Sequence, residues 1–250
     1  MSRRKETGIF LENYEKGLGW LAENYLSHYD GESAVGESTT GHMQHPPSPQ
    51  RMARTVPGAH LIFVLRNPID RIFSHYRFHR QSGEVRSETQ FSDLIRHTDS
   101  EWRRIHLDNG LYYKHLSRYA EHFAREQMLI LFHCDLKEDA VSVTQQTYAF
   151  LNVDSAFVPD VSQRHNSGGL PRHELLYRTL QSVWQPLRER TGGDVLDATQ
   201  SIRDIVRNWM TTSSDDLSMS PADRAYLKSF YSASNHQLEE WLDTDLSHWT

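Results

Sequence analysis

Two residues of this sequence have the types and spacing to hold a phosphate. Arg66 stands directly after the apolar run Leu61-Ile62-Phe63-Val64-Leu65, and Ser74 lies seven residues beyond Asn67, about two turns along the segment that follows. A guanidinium fork and a hydroxyl converging on one anion make charge-assisted hydrogen bonds. The N-terminus of a helix adds unpaired N–H groups that favour negative charge. A plainer alternative stays open, with Asn67-Pro68 only a helix cap and Ser74 a surface residue. Histidine offers a second chemistry: His75 and His79 lie i, i+4, and His42 with His45 forms an H-x-x-H. No acidic ligand accompanies either pair at a diagnostic spacing, and among 15 histidines chance pairs are expected, so no metal site is expected. Cys134, the single cysteine, reads as a packed core residue rather than a nucleophile.

The elements that must position Arg66 and Ser74 are legible around them. The run ending at Leu65 is of buried-strand length and β-favouring, as in a parallel strand covered on both faces. Asn67 is a good N-cap, Pro68 suits the first helical position, and Asp70 complements the dipole of a helix reaching about Arg80, before Ser82-Gly83. A second strand is expected at Met128-Leu129-Ile130-Leu131-Phe132, after a helix marked by Tyr112, Leu116, Tyr119 and Phe123. Ser33-Ala34-Val35-Gly36 is a shorter strand candidate, and His45 to Pro49 a proline-rich loop. Val141 to Leu151 reads as a helix. Leu176, Leu180, Val183, Trp184 and Leu187 mark another, bent near Pro186. In the last helix Ser220 is the cap, Pro221 the opening residue, and Leu227, Phe230, Tyr231, Ser234, Leu238, Trp241 and Leu242 one face. Strands alternating with helices predict an α/β fold with a largely parallel sheet, in one domain over residues 1–250.

Composition narrows the function classes. The 250 residues carry a net charge of −6, with 37% hydrophobic and 11% aromatic residues, which supports a sizeable core and excludes collagenous, low-complexity and disordered classes. The mean acidity argues against nucleic-acid binding through overall charge. No apolar run approaches the roughly 18–20 residues that span a bilayer, and none follows Met1-Ser2-Arg3-Arg4-Lys5-Glu6 as a signal peptide would require. With one cysteine, a reducing, cytoplasmic setting is the expectation. The charge is uneven. From Arg51 to Arg80 there are six arginines against the single acid Asp70, so this window is +5 and the remainder −11.

The stretch from Val56-Pro57-Gly58-Ala59 through His60 and the apolar run to Arg66-Asn67-Pro68-Ile69-Asp70-Arg71-Ile72-Phe73-Ser74-His75-Tyr76 resembles the 3′-phosphate-binding segment of sulfotransferases that use 3′-phosphoadenosine 5′-phosphosulfate (PAPS). The resemblance implies that Arg66 and Ser74 bind the 3′-phosphate. It also implies a three-layer sandwich with a central parallel sheet, similar to P-loop NTPases. Gly110-Leu111-Tyr112 through Leu131 and Phe150-Leu151-Asn152-Val153 resemble later family segments. Asn166-Ser167-Gly168-Gly169-Leu170-Pro171-Arg172 is similar to the loop closing over the nucleotide, which implies contacts from Gly168, Gly169 and Arg172, with Arg164 as a further candidate. The C-terminal Leu238-Glu239-Glu240-Trp241-Leu242 and Asp245-Leu246-Ser247-His248-Trp249 match as well.

Lys5-Glu6-Thr7-Gly8-Ile9-Phe10, followed by Asn13 to Trp20, resembles the segment carrying the glutamate base of carbohydrate and heparan-sulfate-type sulfotransferases. That resemblance implies Glu6 as base, Lys5 assisting, Lys16 against an anionic acceptor, and PAPS as sulfuryl donor without a metal. The acceptor would be a carbohydrate hydroxyl or amine. No nucleic acid or membrane partner is expected, and a homo-oligomer stays open. Two departures bear on activity. Only four residues precede Lys5, where the family's glycine-rich loop with its lysine is expected, and no G-x-x-x-x-G-K-[ST] occurs elsewhere. In Gly36-Glu37-Ser38-Thr39-Thr40, Ser38 stands where the family often has lysine. A truncated or catalytically impaired relative that only binds the nucleotide is therefore the alternative.

Overall fold

The computed structural model describes residues 6–97, 101–161, 169–171, 211–213 and 217–249. They fall into two compact units, one built from residues 1–67, 111–163 and 231–250, the other from 68–110 and 164–230. In the first unit, helices α1 (Gly17–Tyr25) and α2 (Ser48–Thr55) precede strand β1 (Leu61–Leu65). The second unit contributes α3 (Pro68–Gln81), α4 (Phe91–Arg96) and α5 (Glu101–Asp108). The chain then returns through α6 (Tyr112–Ala120), β2 (Met128–Phe132), α7 (His133–Glu138) and α8 (Ala140–Phe150). A short antiparallel pair, β3 (Gly169–Pro171) with β4 (Thr211–Ser213), and helix α9 (Pro221–Leu242) complete the described elements.

β1 and β2 pair in parallel, Leu61 beside Met128 and Leu65 beside Phe132. Parallel neighbours need a long crossover, and the segment from α3 to α6 supplies it. Leu65 and Phe63 are buried with Tyr112, Leu116 and Tyr119 of α6, Met52 of α2, and Leu238, Leu246 and Trp249 from the C-terminal segment. The Phe63 and Tyr119 rings meet edge to face at 5.0 Å. The other face differs from the sequence expectation: Ile62 and Val64 are 39% and 50% exposed. Alternation along a strand sends successive side chains to opposite faces, and the α6 layer covers only that of Phe63 and Leu65.

The second strand, the α6 face, α3, α8 and α9 lie where the sequence put them. Ser33–Gly36 is not a strand. These four residues are exposed, and an isolated apolar pair buries too little to hold an extended segment. The proline-rich loop is shorter than expected because Ser48 and Pro49 already belong to α2, where proline is tolerated in the first turn. The helix expected around Leu176–Leu187 lies outside the described residues. Ser220 caps α9 as anticipated: its hydroxyl accepts from the Asp223 N–H at 3.0 Å and donates to the Asp223 carboxylate at 2.7 Å. Among the described residues no helix is long and apolar enough to cross a membrane.

The C-terminus of α8 is closed by a Schellman motif. The Val153 N–H reaches the Tyr148 carbonyl and the Asn152 N–H that of Ala149, which requires Asn152 at φ 55°. Cys134 is exposed rather than packed, with its thiol donating to Asp135 at 3.3 Å. Partial burial and the Asp135 carboxylate raise the thiol pKa, which opposes a nucleophilic role.

Candidate functional site

Arg66 is the first residue beyond β1, and His133 the first beyond β2. Because Leu65 and Phe132 are register partners, the two basic residues leave the carboxyl ends of the parallel pair side by side. Burial first, then the positive charges of Arg66 and of Lys137 one helical turn along α7, lower the His133 pKa. Arg66 is half-buried, and its backbone is fixed by the Tyr112 hydroxyl, which donates to the Arg66 carbonyl at 2.8 Å. In open α/β sheets ligands bind beyond the carboxyl ends of the strands. Ser74 is half-buried on α3, which belongs to the second unit.

The basic window does not act as one field. Arg51 donates to the carbonyls of Phe10 at 3.0 Å and Leu11 at 2.6 Å, with its guanidinium 4.6 Å over the Tyr14 ring. Arg71 donates to the His106 carbonyl and Arg80 to that of Arg86. Three of the six arginines are therefore anchors of loops and helices.

Two segments thirty residues apart, each singled out in the sequence, meet in the first unit. The Glu6 N–H donates to the Ser38 carbonyl at 2.8 Å, and the exposed Glu6 carboxylate accepts from the Thr40 N–H at 3.1 Å and the Thr40 hydroxyl at 3.3 Å. Beneath them Glu37 is the hub. Its carboxylate accepts from the hydroxyls of Thr7 at 2.7 Å and Thr39 at 2.9 Å and from Nδ1 of His42 at 2.9 Å. Burial raises the Glu37 pKa, but the bonds from His42, Thr7 and Thr39 outweigh it and hold the carboxyl below its usual range. Thr7 is fully buried, and its hydroxyl also accepts from the Ile9 N–H.

The turn after Thr7 depends on Gly8. Its carbonyl accepts from the N–H groups of Leu11 and Asn13, its φ is +62°, and a Cβ there would sit 2.1 Å from Oε1 of Glu12. Glu6 itself has φ 58°, in the left-handed region that non-glycine residues seldom occupy. Lys16 does not point freely outward: its Nζ lies 4.4 Å over the Trp20 ring.

The structure thus brings Glu6 together with Ser38, and places Arg66 at the sheet's carboxyl end. Lys5, Arg164, Gly168 and Arg172 lie outside the described residues. Gly169, expected in a loop, begins β3 instead, because Gly169 to Pro171 find backbone partners in Thr211 to Ser213. Sequence reasoning missed Glu37 and His133, and took His42 as half of an H-x-x-H pair rather than as a partner of Glu37. His133 carried a signal, since it follows its apolar run as Arg66 follows the first. Glu37 carried only its neighbourhood, since no local spacing links it to Thr7.

Known proteins have similar sequences and a similar fold. The bifunctional heparan sulfate N-deacetylase/N-sulfotransferase 1 of Xenopus laevis is 28% identical over 153 residues, covering 58% of this chain and 17% of that protein. The bifunctional heparan sulfate N-deacetylase/N-sulfotransferase 4 of Mus musculus is 28% identical over 154 residues, 56% of this chain and 17% of that protein. The chain thus spans about a sixth of the length of these relatives. The crystal structure of a sulfotransferase from Alicyclobacillus acidocaldarius superposes with a TM-score of 0.67 at 22% identity, covering 99% of this chain and 87% of that one, which shows the α/β fold to be shared. Residues 9–167, more than half of the sequence, match the sulfotransferase domain family, and they include β1, Arg66, Ser74 and Glu37: the chain belongs to that family.

Proposed function

We propose that this chain transfers a sulfuryl group from PAPS to a hydroxyl or amine of a carbohydrate. The observation that carries the reading is Arg66 beside His133 at the carboxyl ends of a parallel strand pair, with Lys137 adding positive charge. The positive charges of Arg66 and Lys137 suit a nucleotide phosphate, and Arg66 with Ser74 would hold the 3′-phosphate. Family membership supports sulfuryl transfer. The heparan sulfate N-sulfotransferase relatives support a sugar acceptor.

In this reading PAPS supplies the sulfuryl group. The acceptor oxygen or nitrogen bonds to sulfur, the sulfur–oxygen bond to the nucleotide breaks, and the bisphosphate keeps that electron pair. Glu6 would take the acceptor's proton, with its carboxylate oriented by Thr40 and its backbone tied to Ser38. Ser38 brings no cation to the leaving oxygen, which favours a second reading in which the chain binds the nucleotide and does not turn it over.

Thermal unfolding with 3′-phosphoadenosine 5′-phosphate and a sulfuryl-transfer assay on an oligosaccharide separate these readings. A ligand at 100 times its Kd stabilises by about 2.7 kcal/mol, so a clear rise in Tm is expected. Arg66→Ala should abolish the rise. No rise in the wild type, or an equal rise in R66A, overturns the pocket. Glu6→Gln should remove transfer while sparing the Tm rise. Binding without transfer in the wild type selects the second reading.

A further inference from the structure

Three histidines of the second unit face one another. His75 and His79 lie one turn apart on α3, and His106 comes from α5. Their ring centroids form a triangle with sides of 5.8, 5.3 and 4.9 Å. One nitrogen from each ring lies within 4.8 Å of the other two. A tetrahedral zinc ion with bonds of about 2.0–2.1 Å places its nitrogens about 3.4 Å apart, so an ion need draw these together by no more than about 1.5 Å.

The surroundings favour coordination over simple ring packing. Nδ1 of His79 is 2.7 Å from Oε2 of Glu84, which leaves Nε2 as its metal-binding atom. Glu84 is held in turn by the Ser82 hydroxyl at 3.0 Å. A carboxylate behind an imidazole is the support that metal-binding histidines use to fix tautomer and direction. Nδ1 of His106 is buried with no hydrogen-bond partner among the described residues, so no protein group competes with a ligand for it. Trp102, 4.5 Å from the His106 ring, walls the cluster on one side. Arg71, one of three arginines of α3, donates to the His106 carbonyl. Imidazoles are borderline-soft donors, suited to zinc and its transition-metal neighbours and not to magnesium or calcium.

We propose that His75, His79 and His106 form a three-imidazole site for a divalent transition metal, best suited to Zn²⁺, which clips α3 to α5 and leaves one coordination position to water. The sequence supplied only the His75–His79 pair. The third ligand is 27 residues beyond His79 and reaches them only through the packing of α5 on α3.

The test uses the full chain without a histidine tag, stripped by chelator and titrated with Co²⁺ and then Zn²⁺. One Co²⁺ per chain with the visible bands of a tetrahedral site, displaced by one Zn²⁺, is expected. His106→Ala should weaken Zn²⁺ binding at least 100-fold. Glu84→Gln, at a largely exposed residue, should weaken it about 10–100-fold without disturbing the fold. His236→Gln, at an exposed residue of α9 that belongs to no such cluster among the described residues, should change nothing. Absence of saturable binding in the wild type overturns the proposal. So does equal affinity in H106A, or, if that variant does not fold, equal affinity in both E84Q and His79→Gln.

Discussion

Replacing Glu37 by glutamine keeps the size of the side chain and removes its charge, which isolates what the carboxylate does. The folded chain gives that carboxylate three donors: the hydroxyls of Thr7 and Thr39 and Nδ1 of His42. Glu37 is 14% exposed and His42 8%, so little water competes. Hydrogen bonds to a charged group contribute about 1.5–3 kcal/mol each and neutral ones about 0.5–1.5, so three bonds made neutral cost about 3–4.5 kcal/mol in all. For a chain of this size that is roughly 6–18 °C in Tm. The pH dependence has a definite sign. The folded Glu37 pKa is lowered, so its stabilisation is complete above the unfolded value of about 4.3 and is lost as pH falls through the folded one. Thermal unfolding at pH 7 and at about pH 3 should therefore show a gap between wild type and E37Q that shrinks on acidification. Equal Tm values at pH 7, or a gap unchanged in acid, would refute the hub. Since the same carboxylate ties Thr7 to Thr39, E37Q should also lower transfer by disturbing Glu6 while leaving nucleotide binding intact.

Asp223, buried in the second unit, accepts from Ser92 at 2.6 Å, Ser220 at 2.7 Å and Arg96 at 3.0 Å. Asp223→Ala should cost about 3 kcal/mol, the low end for a broken buried pair because Arg96 is 45% exposed, and chemical denaturation at neutral pH measures it. A loss under 1 kcal/mol would show the network to be incidental. Asn152→Gly should stabilise by up to about 1 kcal/mol, since the closing residue of α8 has positive φ; a lower Tm in that variant would contradict the motif. Gly8→Ala should destabilise through its φ of +62°, the exposed Glu12 carboxylate being free to swing aside, and a native-like Tm would show that the turn can rearrange.

Strand and helix positions around Arg66 were legible because each rests on local pattern: five apolar residues, then Asn67-Pro68, then a 3.6-residue period ending near Ser82. The α6 face was legible for the same reason, with Tyr112, Leu116 and Tyr119 all buried. What escaped was whatever depends on distant partners. Glu37 gains its role from Thr7 and His42, Gly169 its strand from Thr211 to Ser213, and His106 its neighbours from α3. Short helices such as α4 and α5 escaped too, since six to eight residues hold too few turns for a period to declare itself. Cys134 was misread because its apolar neighbours in β2 stop one residue before it turns outward with α7.

The left-handed backbone at Glu6 sets fold and chemistry against each other at one position. Glycine there would relieve roughly 1 kcal/mol of backbone cost. Glu6→Gly would set that relief against the lost Thr40 hydrogen bonds and would remove the proposed proton acceptor. Backbone comfort and proton transfer thus ask for different residues at one position, and a screen for heat resistance alone is blind to the second.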